Sequence, residues 1–336
     1  MKIKPFSTTG IGSLPHKLTA DAVELPLTAL DIPFWPQLPN ISFLEQMIPQ
    51  YSEGMPGFRI DGDNERVWVE RNDEEIARFY ESMDVDARVA LSQDYARGYY
   101  AFIANIKTRH FDFLKGHITG PLTYTLGLKD QDGKLIYYDE ELREIALMLL
   151  NAKARWQIHM LKQFADEVII FIDEPILSAL GSSTYLGVDT AEAGRLLKDC
   201  AKAIKDAGGI PGIHCCGRAD WPLVMNSGIE ILNFDFHNYG GTLALYPEET
   251  TAYLERGGYL AWGIVPTLDM EEVSKITEES TIATFRKRME TLSNKMPSDL
   301  LNTQILLTPS CGTGSRTVEE TTKIFQILMG LKDELS

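Results

Sequence analysis

The sequence predicts an α/β fold, and within that class a (β/α)₈ TIM barrel formed by a single domain, residues 1–336. Short apolar runs alternate with longer amphipathic segments along the chain, which is the pattern of repeated strand–helix units. Eight of the short runs are typical of strands, and a helical segment at 317–329 follows the last one. No repeat, low-complexity segment or linker divides the chain, so we expect one domain.

The eight predicted strands are apolar runs that end at turn-forming or polar residues. They are 7–13, 33–37, 113–119, 167–173, 209–216, 229–235, 259–265 and 304–311. The segments between them show helical periodicity. They are 20–30, 86–109, 139–165, 190–207, 222–226, 247–256 and 268–292. Residues 52–72 combine Gly, Asp and Asn with an alternating stretch, so we expect a hairpin excursion there.

The competing α/β architecture is an open, doubly wound sheet. Such a sheet normally carries a Gly-rich phosphate-binding turn after its first strand. Residues 10–15 read Gly-Ile-Gly-Ser-Leu-Pro, and Pro15 interrupts that pattern. The barrel is therefore favoured.

Composition and charge narrow the function classes and the compartment. The 336 residues include 48 acidic and 32 basic ones, for a formal net charge of −16, which argues against a nucleic acid or an anionic membrane as partner. Four cysteines, two of them adjacent, do not resemble a disulfide framework. The first residues carry no apolar signal segment, and no run reaches membrane-spanning length. We expect a cytoplasmic protein.

The residues best suited to chemistry are His214 and Cys216 at the end of the fifth predicted strand and Cys311 at the end of the eighth. Alternate residues of a strand share a face, so His214 and Cys216 point to the same side. The carboxyl ends of barrel strands surround one mouth, which would bring Cys311 to that pair. His and Cys are typical zinc ligands. A buried Cys is often only a small apolar side chain, and Cys200 is assigned that role.

Five motifs, in order from residue 8 to about 316, resemble the catalytic domain of cobalamin-independent methionine synthase in a short form. That family lies in a superfamily with uroporphyrinogen decarboxylase and the corrinoid-dependent thiol methyltransferases. The motifs are 9–15 (Thr-Gly-Ile-Gly-Ser-Leu-Pro), 118–123 (Ile-Thr-Gly-Pro-Leu-Thr), 172–175 (Ile-Asp-Glu-Pro), His214-x-Cys216 and Pro309-x-Cys311-Gly312. Each alone is weak, but five in the family's order are specific. The resemblance implies the same barrel.

The resemblance also implies an activity: zinc-dependent transfer of a methyl group to homocysteine, giving methionine. It implies four zinc ligands, His214, Cys216, Cys311 and an acidic residue that falls on Asp235, where the family usually has Glu. Asp173 matches the residue that binds the substrate's α-amino group, and Glu174 is a weaker candidate. The loop that matches the family's carboxylate-binding segment consists of Ile11, Gly12 and Ser13.

Two departures from the family bear on the methyl donor. The chain begins at the catalytic motif, without the family's additional N-terminal barrel, and Val265 stands about where folate-using members have a proton-donating His. A departing corrinoid needs no proton, whereas a folate nitrogen does. We therefore expect the methyl donor to be a methyl-corrinoid carried by a protein partner, and not methyltetrahydrofolate. The alternatives are another thiol substrate, such as coenzyme M, and a non-catalytic zinc- or corrinoid-binding barrel.

Overall fold

The computed structural model describes residues 2–336, apart from the side chain of residue 184. Nine strands lie within this range. They are β1 (Ser7–Thr8), β2 (Phe58–Asp61), β3 (Arg66–Val69), β4 (Phe111–Thr119), β5 (Ala165–Asp173), β6 (Ile210–Cys215), β7 (Ile231–Phe234), β8 (Tyr259–Val265) and β9 (Ile305–Pro309).

The same range contains fourteen α-helices. They are α1 (Thr19–Ala29), α2 (Met47–Ser52), α3 (Asp73–Ser82), α4 (Arg97–Ile106), α5 (Pro121–Gly127), α6 (Glu140–Leu161), α7 (Thr190–Asp206), α8 (Trp221–Met225), α9 (Phe236–Tyr239), α10 (Pro247–Glu255), α11 (Met270–Lys275), α12 (Glu278–Ser293), α13 (Ser298–Thr303) and α14 (Val318–Leu335). None of the described helices combines the length and apolar character needed to cross a membrane.

Seven strands form one parallel sheet in the order β1-β9-β8-β7-β6-β5-β4. The sheet is curled and resembles a TIM-type barrel, so the predicted α/β class is confirmed. Helices connect the successive strands from β4 to β9, as parallel pairing requires. The described sheet holds seven strands instead of the eight predicted.

The missing strand is the predicted run 33–37. This segment makes only isolated bridges, from Phe34 to Lys115 of β4 and from Gln37 to Ser13. Pro33 and Pro36 have no backbone N–H, so a continuous ladder cannot form along it. The segment still lies beside both edges of the sheet, because the Lys115 amide donates to the Pro33 carbonyl at 2.8 Å and the Gln37 amide donates to the Gly12 carbonyl at 3.0 Å.

Two predicted helices differ from the observed ones. The predicted helix 86–109 contracts to α4, because the chain before it forms turns, including one in which the Asp86 amide bonds the Asp84 carboxylate. The predicted helix 268–292 is divided into α11 and α12. Thr277 starts α12 with a capping box formed with Ser280, which ends the preceding helix and begins a new one.

The predicted hairpin within 52–72 is confirmed. Strands β2 and β3 pair antiparallel, with Phe58 opposite Val69 and Asp61 opposite Arg66. The hairpin is attached to the body of the protein where the Val69 amide donates to the Lys129 carbonyl at 2.9 Å.

Two apolar clusters surround the curled sheet. The larger one packs the sheet against the helices. The smaller one lies on the opposite, enclosed face, and we call it the apolar interior cluster. Its buried members are Ile3, Ile11, Ile32, Ile169, Phe171, Ile210, Ile231, Tyr259, Ala261 and Leu306.

Candidate metal and substrate site

Three of the predicted ligands come together at the carboxyl ends of the strands. His214 lies at the end of β6, Cys216 directly follows that strand, and Cys311 follows β9. Their donor atoms lie within 4.8 Å of one another. The two thiol sulfurs, which the sequence places far apart, are 3.4 Å apart. This group has the donor types and the spacing that a metal ion such as zinc requires.

The orientation of the His214 ring is fixed by Asn233 on the neighbouring strand β7. The Asn233 Nδ2 group donates to the Ala261 carbonyl and to Thr308 Oγ1, each at 2.8 Å. Because a carbonyl can only accept, Asn233 Oδ1 must face the ring, 2.5 Å from His214 Nδ1, and accept its proton. In the neutral imidazole the Nε2 atom then carries the lone pair. It is buried and has no hydrogen-bond partner among the described residues, as a metal-binding nitrogen would.

The two thiols affect each other's ionisation. The hydrogen bond from Cys311 lowers the pKa of Cys216, and the nearby His214 lowers it further against the effect of burial. The same contact, together with burial, raises the pKa of Cys311. One thiol therefore ionises readily and the other does not. A divalent cation between them would favour ionisation of both.

The structure does not bring the fourth predicted ligand, Asp235, to this group. Its Oδ1 accepts from the Asn238 amide at 2.9 Å and its Oδ2 from Asn238 Nδ2 at 2.8 Å. Asp235 is the N-cap of α9, which begins immediately after β7 ends. A carboxylate at this position caps the helix because the chain turns before the side chain can reach the three donors.

Asp173, the last residue of β5, lies beside the metal-ligand group. It is in register with Thr119 on one side and His214 on the other. Burial raises its pKa to about 6, and the nearby His214 and Lys115 oppose that shift. Its Oδ1 atom is buried and has no hydrogen-bond partner within residues 2–336. The carboxylate is thus placed to receive a cationic group.

Glu174, the weaker candidate for substrate binding, has its carboxylate engaged by α5. It is fully buried, and its two oxygens accept from the Leu122 and Thr123 amides, each at 2.8 Å, and from the Thr123 hydroxyl at 2.7 Å. These donors belong to the first turn of α5. A Cβ on Gly120 would come within 2.2 Å of the Glu174 carboxyl, so this position requires Gly. Glu174 therefore joins two of the sequence motifs to each other.

The loop formed by Ile11, Gly12 and Ser13 lies against the segment that follows Cys311. The Thr313 amide donates to the Ser13 carbonyl at 2.9 Å, and a Cβ on Gly312 would come within 2.2 Å of Ser13 Oγ. Ser13 and Cys311 border one open cavity of about 600 Å³. Ser13 of the loop and Cys311 therefore face the same space.

Sequence reasoning missed two contributors to this site. Asn233 became visible only through its register opposite His214. The hairpin was predicted, but nothing in its sequence placed Glu65 and Val67 in the wall of the cavity.

Comparisons with known proteins give a fold and no family. A scan against models of protein families and a search of curated proteins find no match. Among solved structures, the chain is similar to a B12-independent methionine synthase from Shewanella sp. W3-18-1 in complex with selenomethionine. The TM-score is 0.62 at 14% identity, over 98% of this chain and 97% of that one. At this identity the likeness shows the fold alone.

A second solved structure, a double mutant of an endo-β-1,4-mannanase from Cellulomonas fimi, gives a TM-score of 0.28 at 10% identity. The alignment covers 76% of this chain and 72% of the mannanase chain. This likeness is too weak to support a conclusion.

Proposed function

We propose that the protein is a zinc-dependent methyltransferase that methylates the thiol of homocysteine to give methionine. The observation that carries the proposal is the convergence of one imidazole and two thiols from distant parts of the chain beside the buried carboxylate of Asp173. The likeness to a B12-independent methionine synthase over nearly the full length of both chains supports it. So does the order of the five sequence motifs.

The residues at the site fit zinc. His214 offers an unpartnered Nε2, and Cys216 and Cys311 offer two sulfurs, which is a preferred donor set for this ion. Three protein ligands leave a fourth position for a substrate, as in catalytic zinc sites. When bound there, zinc would lower the pKa of a coordinated thiol so that its sulfur is nucleophilic at neutral pH. Asp235 is not needed in this set.

Two further groups would bind the amino-acid end of homocysteine. Asp173 would accept the α-ammonium group, because its enclosed Oδ1 has no other partner in the described chain. The loop of Ile11, Gly12 and Ser13 would hold the carboxylate through backbone N–H groups and a hydroxyl. Together they would direct the substrate sulfur towards the two cysteines.

Metal analysis and product formation test this proposal together. We expect purified wild type to hold one zinc ion per chain and, when supplied with methylcobalamin or methyltetrahydrofolate as methyl donor, to convert homocysteine to methionine. Cys311→Ser should lose both the metal and the activity. Asp235→Asn is the matched control, since an Asn still caps α9, and it should keep the zinc. Wild type that holds zinc but never methylates homocysteine would contradict the proposal and favour a non-catalytic binding protein.

For the methyl donor we propose a methyl-corrinoid carried by a partner protein. Support comes from Val265, which is fully buried at the end of β8 and has no proton to give a leaving group. His237 contacts the same strand, but both of its nitrogens are engaged within the protein. Nδ1 lies 3.2 Å from the Ile264 carbonyl and Nε2 lies 2.6 Å from Glu272 Oε1. The alternative is methyltetrahydrofolate, which is favoured by the description of the solved neighbour as B12-independent.

Parallel assays with methylcobalamin and with methyltetrahydrofolate separate the two donors. Turnover with methylcobalamin supports the corrinoid proposal. Turnover with methyltetrahydrofolate alone would overturn it, and would leave the homocysteine methyltransferase proposal standing.

A further inference from the structure

A lysine is enclosed in the interior of the barrel just below the proposed substrate site. Lys115 lies on β4 and is fully buried. Its ammonium group donates to the Ile11 carbonyl at 2.5 Å and lies over the ring of Phe171, 4.3 Å from the centroid. An enclosed ammonium is costly unless it is paired, so an apolar side chain here would be expected on stability grounds alone.

The neighbours of Lys115 are the two groups proposed to bind the amino-acid end of the substrate. The Ile11 carbonyl belongs to the loop that continues into Gly12 and Ser13. Asp173 is the nearby opposite charge. Burial lowers the pKa of Lys115 to about 7, and Asp173 opposes this shift. The Lys115 ammonium therefore hydrogen-bonds the proposed carboxylate-binding loop directly and acts on Asp173 through its charge alone.

We propose that Lys115 is a positioning residue: it holds the Ile11–Ser13 loop through its hydrogen bond to the Ile11 carbonyl, and its charge acts on Asp173, so that the two groups stand where an α-amino acid requires them. The inference rests on the proposed function and narrows its substrate class to thiols that carry an α-amino acid group. Lys115 acts through the loop and Asp173 and does not itself contact the substrate. A thiol without an α-amino group, such as coenzyme M, would gain nothing from Asp173.

The chain contains a matched control for this proposal. Lys153 on α6 is also fully buried, and its Nζ has no hydrogen-bond partner within residues 2–336. Its nearby charge is Glu53, and it contacts neither the loop nor Asp173 through any described hydrogen bond. Replacing either lysine by Met removes one buried charge and keeps a long, flexible side chain. Only Lys115→Met removes a hydrogen bond to the proposed carboxylate-binding loop.

The experiment compares Lys115→Met and Lys153→Met in the zinc-loaded, full-length protein. It measures zinc content, KM and kcat for homocysteine, and amide hydrogen exchange of residues 9–14. We expect Lys115→Met to raise KM at least about tenfold, the loss typical of a hydrogen bond to a charged group. Zinc content and kcat should change little, and the loop amides should exchange faster. Lys153→Met should leave all four quantities close to wild type.

Each outcome decides the proposal. Unchanged KM and loop exchange in Lys115→Met would overturn it, and so would loss of zinc, because Lys115 would then support the metal site instead of the loop. If wild type shows no turnover, the proposed function fails, and loop exchange alone decides the role of Lys115. If Lys115→Met folds poorly, Lys115→Gln is measured in its place. Gln keeps an N–H donor and removes the charge, so unaltered loop exchange and KM in it would reject the need for a cation.

Discussion

The two ends of the space enclosed by the curled sheet are built from the same strands but differ in chemistry. The amino-terminal part holds the apolar interior cluster, and the carboxyl-terminal part holds polar side chains. The change occurs over two residues on each of several strands. The pairs are Phe113 and Lys115 on β4, Phe171 and Asp173 on β5, Ile231 and Asn233 on β7, and Leu306 and Thr308 on β9.

This contrast separates stability from function within one enclosed space. The apolar end gains free energy by removing hydrocarbon surface from water. The polar end encloses a lysine, a carboxylate and an imidazole, which gain no free energy from burial in that way. Substitutions two residues apart on one strand should therefore have different effects.

The largest expected effect is at the apolar end. Leu306→Ala removes a fully buried side chain from β9, and we expect it to lower the free energy of unfolding by about 2–5 kcal/mol. Zinc affinity of the folded protein should change little. Denaturant unfolding with a parallel zinc titration measures both quantities. A stability loss below about 1 kcal/mol would mean that this end collapses around the cavity and that the two ends are less distinct than proposed.

At the polar end the expected effect is on the metal. Asn233→Leu removes the acceptor for His214 Nδ1 and frees the ring to rotate. We expect zinc affinity to fall about 10- to 100-fold, the usual effect of losing such a partner. Competition with a chromophoric chelator measures it. Thr308→Val removes one of the two acceptors of Asn233 Nδ2 and leaves the Ala261 carbonyl. Zinc affinity should therefore fall less in this variant. Equal affinity of Asn233→Leu and wild type would show that the ring needs no such support.

A smaller effect concerns how the stability of the protein depends on pH through Lys153, the buried lysine on α6. Burial lowers the pKa of Lys153 to about 7, from about 10.5 in the unfolded chain. Between these values the unfolded chain binds the extra proton, so this group's contribution makes the protein more stable as pH rises from 7 to 10.5. Lys153→Met should remove that rise and stabilise the protein at pH 7 by at least about 1 kcal/mol.

Unfolding measured at several pH values in wild type and Lys153→Met tests this. The informative quantity is the difference between the two proteins at each pH, because other groups titrate in both. If that difference does not shrink as pH rises above 7, burial does not lower the pKa of Lys153 in the folded protein.

The sequence was sufficient for the α/β class and for bringing His214, Cys216 and Cys311 together as candidate metal ligands. Alternation along β6 puts His214 and Cys216 on one face, and the shared mouth of a barrel brings Cys311 to them. Both inferences use local periodicity and a general rule of the fold. Neither needs a particular register.

What the sequence did not provide depends on register and on the chain's exact turning points. Asn233 faces His214 only because β6 and β7 pair at that offset, which no local pattern encodes. Asp235 caps α9 because the helix starts one residue after it. The run 33–37 is apolar enough for a strand, yet its prolines interrupt the ladder. No local pattern showed that Glu174 accepts from three donors in α5.

Because Glu174 packs closely against Gly120, the residue allowed at each of these two positions depends on the residue at the other. The carboxylate occupies the volume that a side chain at position 120 would need. A homologous chain with a side chain at position 120 would have to carry a residue shorter than Glu at position 174. That chain would then need another acceptor for the amides at the start of α5. We therefore expect the residues at positions 120 and 174 to covary among homologues.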